Sequence, residues 1–199
     1  IMELIDEEIK KGRDGQIIFK VNSVTDLEVI NKLSEASCAG VRIMLLVRGI
    51  CCLLPGVPEY TENIRVFSIV GRYLEHSRIY SFGVGSEQKL YISSADLMTR
   101  NMQRRVEVAV PIYAPHIRER INHILDVYFR DTAKARELKS DGNYERFPEY
   151  KTGLSAQEQF MAEALENADT EKPHTEGWLH RKVREKVTRW YRSLTSDLD

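Results

Sequence analysis

Apolar and polar residues alternate in the first quarter of the chain in a way that predicts two helices and two strands. Met2–Lys11 has apolar side chains at helical spacing and predicts an amphipathic helix. Gln16–Val21 is β-branched and aromatic, which indicates a strand. A second helical pattern ends at Gly40, and residues 41–47 are almost continuously apolar, as in a buried parallel strand. Strand, helix and strand together predict a βαβ unit.

Further apolar segments predict that the sheet continues beyond this unit. Strands are expected at 64–70, 77–82, 90–93 and 106–111, followed by a helix at 118–130. Gly83 and Gly85 lie between the second and third of these strands. They predict a hairpin there.

The composition changes after the predicted sheet. Residues 139–154 are mostly polar and contain turn formers, which indicates a linker. Ser155 begins a capping-box pattern, and residues 178–194 have apolar positions at helical spacing with a basic opposite face. We expect that face to be solvated, and contact with an anionic polymer is the alternative. The chain is therefore divided into an α/β domain (1–138), a linker (139–154) and a helical tail (155–199).

Composition excludes several classes of protein. With 199 residues, 42% of them hydrophobic, the chain can bury a core and is not generally disordered. Its 29 basic and 30 acidic residues argue against a generic nucleic-acid-binding protein. No apolar run reaches the roughly 18 residues of a membrane helix, and the acidic first segment does not resemble a signal peptide. Because the chain begins almost inside a helix, we expect it to be a piece of a longer protein.

The three cysteines indicate a reducing compartment. Cys51 and Cys52 are adjacent, so a bridge between them would be strained, and Cys38 lies in a helical pattern. No second pair of ligands at a suitable spacing accompanies them, so zinc is not expected. We assign no catalytic role to these thiols.

The candidate chemistry centres on a histidine and nearby arginines. His76 and Arg78 are two positions apart where a strand is expected to begin, so their side chains should share one face. Imidazole can act as a nucleophile or carry a proton near neutral pH, and guanidinium binds phosphate oxygens through its planar fork. Arg48 follows the second βαβ strand, at the edge where open α/β sheets bind ligands. This pattern predicts a crevice for a phosphorylated ligand, although Arg78 could instead simply pair with Glu75 or Asp96.

Five runs of sequence closely resemble the C-terminal catalytic domain of bacterial polyphosphate kinases. The runs are KVNSVTD (20–26), residues 39–58, residues 62–79, YISSADLMTRN (91–101) and RRVEVAVPI (104–112). The resemblance covers about two thirds of the chain. Leu97 stands where the family usually has tryptophan, which affects packing beside Asp96 and leaves the chemistry unchanged.

This resemblance implies a fold and a set of site residues. The implied fold is α/β, a phospholipase-D-like mixed β-sheet flanked by helices, here with a helical C-terminal appendage. The chain would be one half of a two-lobed site, and the histidine that becomes phosphorylated would lie in the preceding domain. By resemblance His76 is the second active-site histidine, Arg48 contacts the nucleotide phosphates, and Arg105 also faces the phosphates. The magnesium ligands belong to the preceding half, so no metal ligand is assigned to this chain.

The resemblance also implies an activity and its partners. The activity is reversible transfer of the ATP γ-phosphate to inorganic polyphosphate through the phosphohistidine of the preceding domain. ATP or ADP is a substrate, and Mg²⁺ is expected in the intact enzyme. The partners are polyphosphate, the preceding domain and further copies of the intact enzyme, without nucleic acid or a transmembrane segment. The expected location is the cytoplasm.

Two alternatives remain open at this point. One is a phosphodiesterase of the phospholipase D type that completes its site by forming a dimer. The arginine in His-x-Arg, where lysine is usual, and the Ser-Ser-Ala-Asp turn count against it. The other is a non-catalytic module that binds polyphosphate, with the basic helix at 178–194 contributing cations.

Overall fold

The computed structural model describes residues 1–170 of the chain. Contacts divide the chain into two units, Ile1–Gln159 and Phe160–Asp199. The first unit contains an eight-stranded sheet. Of the second unit the structure describes residues 160–170, which are helical. The basic helix predicted at 178–194 lies outside the described residues.

Helices and strands alternate from the first helix to the second strand, as the apolar pattern predicts, and three further strands follow before the next α-helix. The strands are β1 (Gln16–Val21), β2 (Arg42–Val47), β3 (Ile64–Ile69), β4 (Arg78–Phe82), β5 (Lys89–Ser93), β6 (Ala109–Pro111), β7 (Ala135–Leu138) and β8 (Tyr144–Arg146). The helices are α1 (Met2–Lys11), α2 (Leu27–Cys38), α3 (Thr99–Gln103), α4 (Pro115–Phe129) and α5 (Ala156–Thr170). Asp26 is the N-cap residue of α2, since its side chain accepts a hydrogen bond from the backbone N–H of Val29 at 3.2 Å.

The sheet is mixed, with the order β6-β5-β4-β1-β2-β3-β7-β8. Its centre is parallel, because β1 pairs with β2 and β2 with β3 in the same direction. Both flanks are antiparallel. Val21 lies beside Val47, so the residues that follow β1 and β2 leave the sheet at one edge. β4 runs antiparallel to β1 and therefore begins at that same edge. The candidate site residues Arg48 and His76 both lie at this edge.

Apolar side chains cover both faces of the sheet. Phe19 and Val21 of β1 belong to the main core, against which α1 and α2 pack. On the opposite face, Ile79 of β4 packs with Ile121 and Leu125 of α4. Lys20 is the exception on β1, a lysine only 5% exposed between these apolar neighbours. A buried cation in a strand requires polar partners, and these lie at the candidate site.

The segment 139–154 differs from the predicted linker. It contains β8, which pairs with β7 at the edge of the sheet, and its end is held by Leu154, whose carbonyl accepts the N–H groups of Thr132 and Ala133. Asp131 also fixes this region, since its carboxylate accepts the N–H groups of Lys134, Ala135 and Ala156. The apolar pattern does not predict β7 and β8 because they are short, charged strands. Backbone pairing holds them, and they have no alternating apolar pattern to predict them.

Smaller differences concern the ends of elements. The strand expected at 106–111 is only Ala109–Pro111, and α4 begins at Pro115, three residues before the predicted start. Proline at the start of a helix lacks an N–H that would in any case have no partner there, which favours this start. Leu97 is fully buried in the main core. Within residues 1–170 no helix is both long enough and apolar enough to cross a membrane.

Candidate active site

A polar network joins the ends of three strands at the edge of the sheet. Arg48, directly after β2, donates from Nε to Asn22 Oδ1 at 3.1 Å. Asn22, directly after β1, donates its backbone N–H and its Nδ2 to the Asp96 carboxylate at 2.7–3.3 Å. Arg78, the first residue of β4, donates from Nε and Nη2 to the two oxygens of Asp96 at 3.2 and 2.8 Å. The buried Asp96 carboxylate therefore orients Arg78 directly and Arg48 through Asn22.

The Asp96 carboxyl is kept in its charged form by this network. Burial would raise its pKa, but the hydrogen bonds from Arg78 and Asn22 outweigh burial, and the pKa lies below the usual value for aspartate. Tyr80 supports the turn, because its hydroxyl donates to the carbonyl of Ala95 at 2.8 Å. The Ser-Ser-Ala-Asp turn therefore places the Asp96 carboxylate where it binds Arg78 and, through Asn22, orients Arg48.

His76 lies beside this network and is open to solvent. Its imidazole nitrogens Nδ1 and Nε2 are 3.5 and 3.3 Å from the two terminal nitrogens of Arg78. Arg78 also donates to the His76 carbonyl at 3.1 Å. His76 is two residues before β4, not its first residue, and its side chain is exposed. The structure therefore joins Arg48 and His76, the first two predicted site residues, through Asn22, Asp96 and Arg78.

Arg105, the third predicted residue, lies outside this network. It is exposed in the segment between α3 and β6. Glu107 in the same segment accepts hydrogen bonds from Ser94 and Asn101, and these bonds, with a smaller contribution from the charge of Arg105, lower its pKa. The role of Arg105 at the phosphates stays a prediction.

A second group of polar residues lies next to the His76 loop, on the face of the sheet that α4 covers. The Lys20 ammonium donates to the carbonyl and hydroxyl oxygens of Ser77 at 3.2 and 3.0 Å, and it is 3.6 Å from the Glu75 carboxylate. Glu75 also accepts hydrogen bonds from Tyr128 of α4 and from Gln157 of α5. Burial lowers the pKa of Lys20, whereas Glu75 opposes that shift. Burial and the contact with Glu75 together raise the pKa of Tyr128.

Sequence reasoning did not identify Asn22, Lys20 or Gln157 as site residues. For Lys20 a signal exists, namely a lysine near the end of an otherwise apolar strand. Asn22 and Gln157 are polar residues in a loop and near a helix start, which is ordinary. Their roles depend on contacts with residues more than 70 positions away, which local patterns do not reveal.

A cationic crevice adjoins Arg48 on the β3 and β7 side of the sheet. The cavity has a volume of about 300 Å³. Its lining residues are Arg48, Gly49, Ser68, Val70, Lys134, Arg136 and Tyr144. Arg136 of β7 lies directly beside Ser68 of β3. Among the described residues, three cations and no carboxylate line this cavity, which is the charge pattern of a site for a polyanion.

The residues of this site do not fit a resident metal ion. Among residues 1–170, no three His, Cys, Asp or Glu side chains are grouped so that they could hold one. The carboxylates of Asp96 and Glu75 already contact Arg78 and Lys20. Cations therefore dominate this half of the site, and no step is assigned to a metal here.

Comparison with known sequences identifies the family. Residues 1–159 match the family described as the polyphosphate kinase C-terminal domain 2. The polyphosphate kinase of Bacillus cereus is 56% identical over 146 residues, which cover 72% of this chain and 21% of that protein. That of Helicobacter pylori is 47% identical over 165 residues, covering 83% of this chain and 24% of that protein. The chain therefore spans between a fifth and a quarter of the length of these relatives.

Comparison with solved structures agrees with the sequence comparisons. The crystal structure of polyphosphate kinase from Porphyromonas gingivalis matches with a TM-score of 0.75 and 39% identity, over 85% of this chain and 26% of that one. A phospholipase D family member, Nuc from Salmonella typhimurium, matches with a TM-score of 0.50 and 15% identity, over 69% of this chain and 90% of that one. The second match supports the fold alone, and it confirms the expected phospholipase-D-like sheet flanked by helices. The chain belongs to the polyphosphate kinase family, in which it is the second C-terminal domain.

Proposed function

We propose that this chain is the C-terminal half-site of an enzyme that transfers the ATP γ-phosphate reversibly to inorganic polyphosphate. The observation that carries the proposal is the network from Arg48 to His76 beside a crevice with three cations and no carboxylate. The proposal is supported by the relatives, which are polyphosphate kinases. The other half-site, with the histidine that becomes phosphorylated, belongs to the preceding domain.

The chemistry assigns separate roles to the residues. Phosphoryl transfer requires in-line positioning and neutralisation of charge on the transferring oxygens. Arg48, oriented by Asn22, supplies fixed positive charge to the phosphates, and Arg105 adds to it from the opposite strand flank. His76 hydrogen-bonds or protonates a phosphate oxygen opposite the nucleophilic imidazole of the preceding domain. The γ-phosphoryl group moves from ATP to that nucleophile, ADP leaves, and the group then passes to a terminal oxygen of polyphosphate.

The remaining partners belong to the same proposal. ATP or ADP and polyphosphate are the substrates, with Mg²⁺ bound by the other half of the site. The intact enzyme assembles with further copies of itself. Its location is the cytoplasm, which is consistent with three free cysteine thiols and a nucleotide substrate.

The isolated chain should bind polyphosphate without catalysing its synthesis. One lobe supplies cations on one side of the phosphorus only, whereas in-line transfer needs groups on both sides. Incubation of the chain with radiolabelled ATP and long-chain polyphosphate should give no labelled protein and no chain growth, while the intact enzyme gives both. Turnover by the isolated chain at the rate of the intact enzyme would contradict a half-site. Hydrolysis of a generic phosphodiester by a dimer of the chain would favour the phosphodiesterase instead.

Removing cations from the crevice should weaken polyphosphate binding. Arg136→Gln and Lys134→Gln should each raise the Kd of the intact enzyme for polyphosphate by about tenfold, because each removes a charge-assisted contact. The effect should shrink as salt rises, since salt screens exposed charges. Lys89→Gln is the matched control, because Lys89 is an exposed lysine on β5 that pairs with Glu7. Equal losses in the control and the two crevice variants would exclude the crevice as the binding site.

A further inference from the structure

Polar contacts hold the loop that carries His76 at alternate residues, Tyr73, Glu75 and Ser77. Residues 70–77 connect β3 and β4 without helix or strand. Gln157, in the first turn of α5, accepts the backbone N–H of Tyr73 through its amide oxygen at 3.0 Å. Its Nε2 donates to the carbonyl of Tyr73 at 2.9 Å and to Glu75 Oε1 at 2.7 Å. One glutamine side chain therefore fixes two positions of the loop.

Lys20 fixes the end of the same loop. Its ammonium donates to the carbonyl and hydroxyl oxygens of Ser77 and forms an ion pair at 3.6 Å with the carboxylate of Glu75. Only 5% of Lys20 is exposed, so it offers almost no surface to a bound phosphate. Lys20 therefore holds the two residues that flank His76 and does not itself reach the ligand.

The held positions flank His76 and leave its imidazole accessible. Gln157 binds the backbone of Tyr73, and Lys20 contacts Glu75 and Ser77 on either side of His76. The His76 side chain is exposed, and its ring nitrogens lie 3.5 and 3.3 Å from the terminal nitrogens of Arg78. The loop is therefore fixed by its backbone and by the residues next to His76, while the imidazole stays open to a ligand.

We propose that Lys20 and Gln157 are positioning residues that act through His76, by holding the 70–77 loop so that the imidazole meets the transferring phosphate. This inference rests on the proposed function of the site. Gln157 adds a link from the first turn of α5 to the reacting group. The position of the loop is then set by the contacts of Lys20 and Gln157, without either residue touching the substrate.

The test uses the full-length enzyme that contains this domain. Lys20→Met and Gln157→Met should each lower kcat for polyphosphate synthesis by about 10- to 100-fold, the usual cost of a misplaced group. The KM for ATP should stay within twofold, since Arg48 is untouched. In a His76→Ala background the same changes should lower the residual rate by less than twofold, because coupled positions are not additive.

Two control variants separate positioning from general destabilisation. Lys11→Met removes a lysine that pairs at 2.6 Å with the nearly buried Glu8. Gln88→Met removes a glutamine that donates to Ser81 and Asn122. Both controls remove side-chain hydrogen bonds away from the His76 loop and should leave kcat unchanged, whatever their effect on the melting temperature.

The outcomes distinguish a failure of the positioning role from a failure of the proposed role of His76. Parental kcat in the folded Lys20→Met and Gln157→Met enzymes, or undiminished losses in the His76→Ala background, overturns the positioning role. If Lys20→Met does not fold, Gln157→Met alone decides. Parental kcat in the His76→Ala enzyme itself overturns the proposed role of His76, and the positioning role falls with it.

Discussion

Replacing His76 with alanine in the full-length enzyme should lower the rate of polyphosphate synthesis by about 10²–10⁴-fold, the usual contribution of a positioned acid or base. The imidazole is exposed beside Arg78, so its removal should leave the fold intact and take away the group that we propose faces the phosphate. The initial rate of incorporation of radiolabelled phosphate from ATP into polyphosphate measures the effect. The reverse reaction, from polyphosphate and ADP, should fall by the same factor.

A second histidine serves as the control for this experiment. His116 is exposed in the first turn of α4, at the opposite end of that helix from Tyr128, which contacts Glu75, and His116→Ala should keep the parental rate. Binding of ATP to the His76→Ala enzyme should change by less than fivefold, because Arg48 keeps its contact with Asn22. A His76→Ala rate within threefold of the parent would remove the histidine from the mechanism and leave only the cations.

Replacing Asp96 with asparagine should both destabilise the chain and impair the site. The carboxylate is 5% exposed and forms a bidentate pair with Arg78, so its loss leaves a half-buried guanidinium without its counter-charge. Breaking such a pair costs about 3 kcal/mol of unfolding free energy. Urea unfolding of the 199-residue chain measures the loss of stability, and synthesis by the full-length enzyme measures the loss of activity.

The stability lost through Asp96→Asn should depend on pH in one direction. Because the pKa of Asp96 is lowered by folding, the unfolded chain takes up the proton at a higher pH than the folded chain does. The carboxylate therefore stabilises the fold fully above the ordinary aspartate pKa of about 4, and this contribution is lost as the pH falls through the lower pKa of the folded state. The difference between parent and variant should be constant from about pH 6 to 8 and should shrink below about pH 4.

Glu8→Gln is the matched control for the Asp96 prediction. Glu8 is also nearly buried and also pairs with a cation, Lys11, but it contacts the first residue of β1 at the opposite edge of the sheet. The control should lose stability and keep activity. If Asp96→Asn loses stability and synthesises polyphosphate at the rate of Glu8→Gln, the network from Arg48 to Arg78 is structural only.

The central sheet could be predicted from the sequence because burial leaves a strong local pattern. The apolar runs of β1 and β2 predict parallel strands that are buried on both faces. Ligands of such sheets bind at the carboxyl ends of the strands. Arg48 follows directly from that reasoning. His76 was identified as a candidate by its position near a strand start, although the strand itself begins at Arg78.

The rest of the site could not be predicted because it depends on contacts between distant parts of the chain. Asn22 meets Asp96 across 74 positions, and Gln157 meets Tyr73 across 84. Neither side chain differs locally from an ordinary polar residue in a turn or helix start. β7 and β8 were missed for a related reason, since backbone pairing at a sheet edge requires no particular side chains.

The edge position of β8 has a consequence for how this domain can change through evolution. β8 is three residues long, all of them exposed, and it pairs only with β7 within the described residues. Lys134, Arg136 and Tyr144 of this hairpin region form one wall of the crevice, while Asp96 and His76 belong to the other flank. Under the proposed function, substitutions in the hairpin would therefore alter affinity for a polyanion without disturbing the core or His76. Substrate binding and phosphoryl transfer would then be open to separate selection on one scaffold.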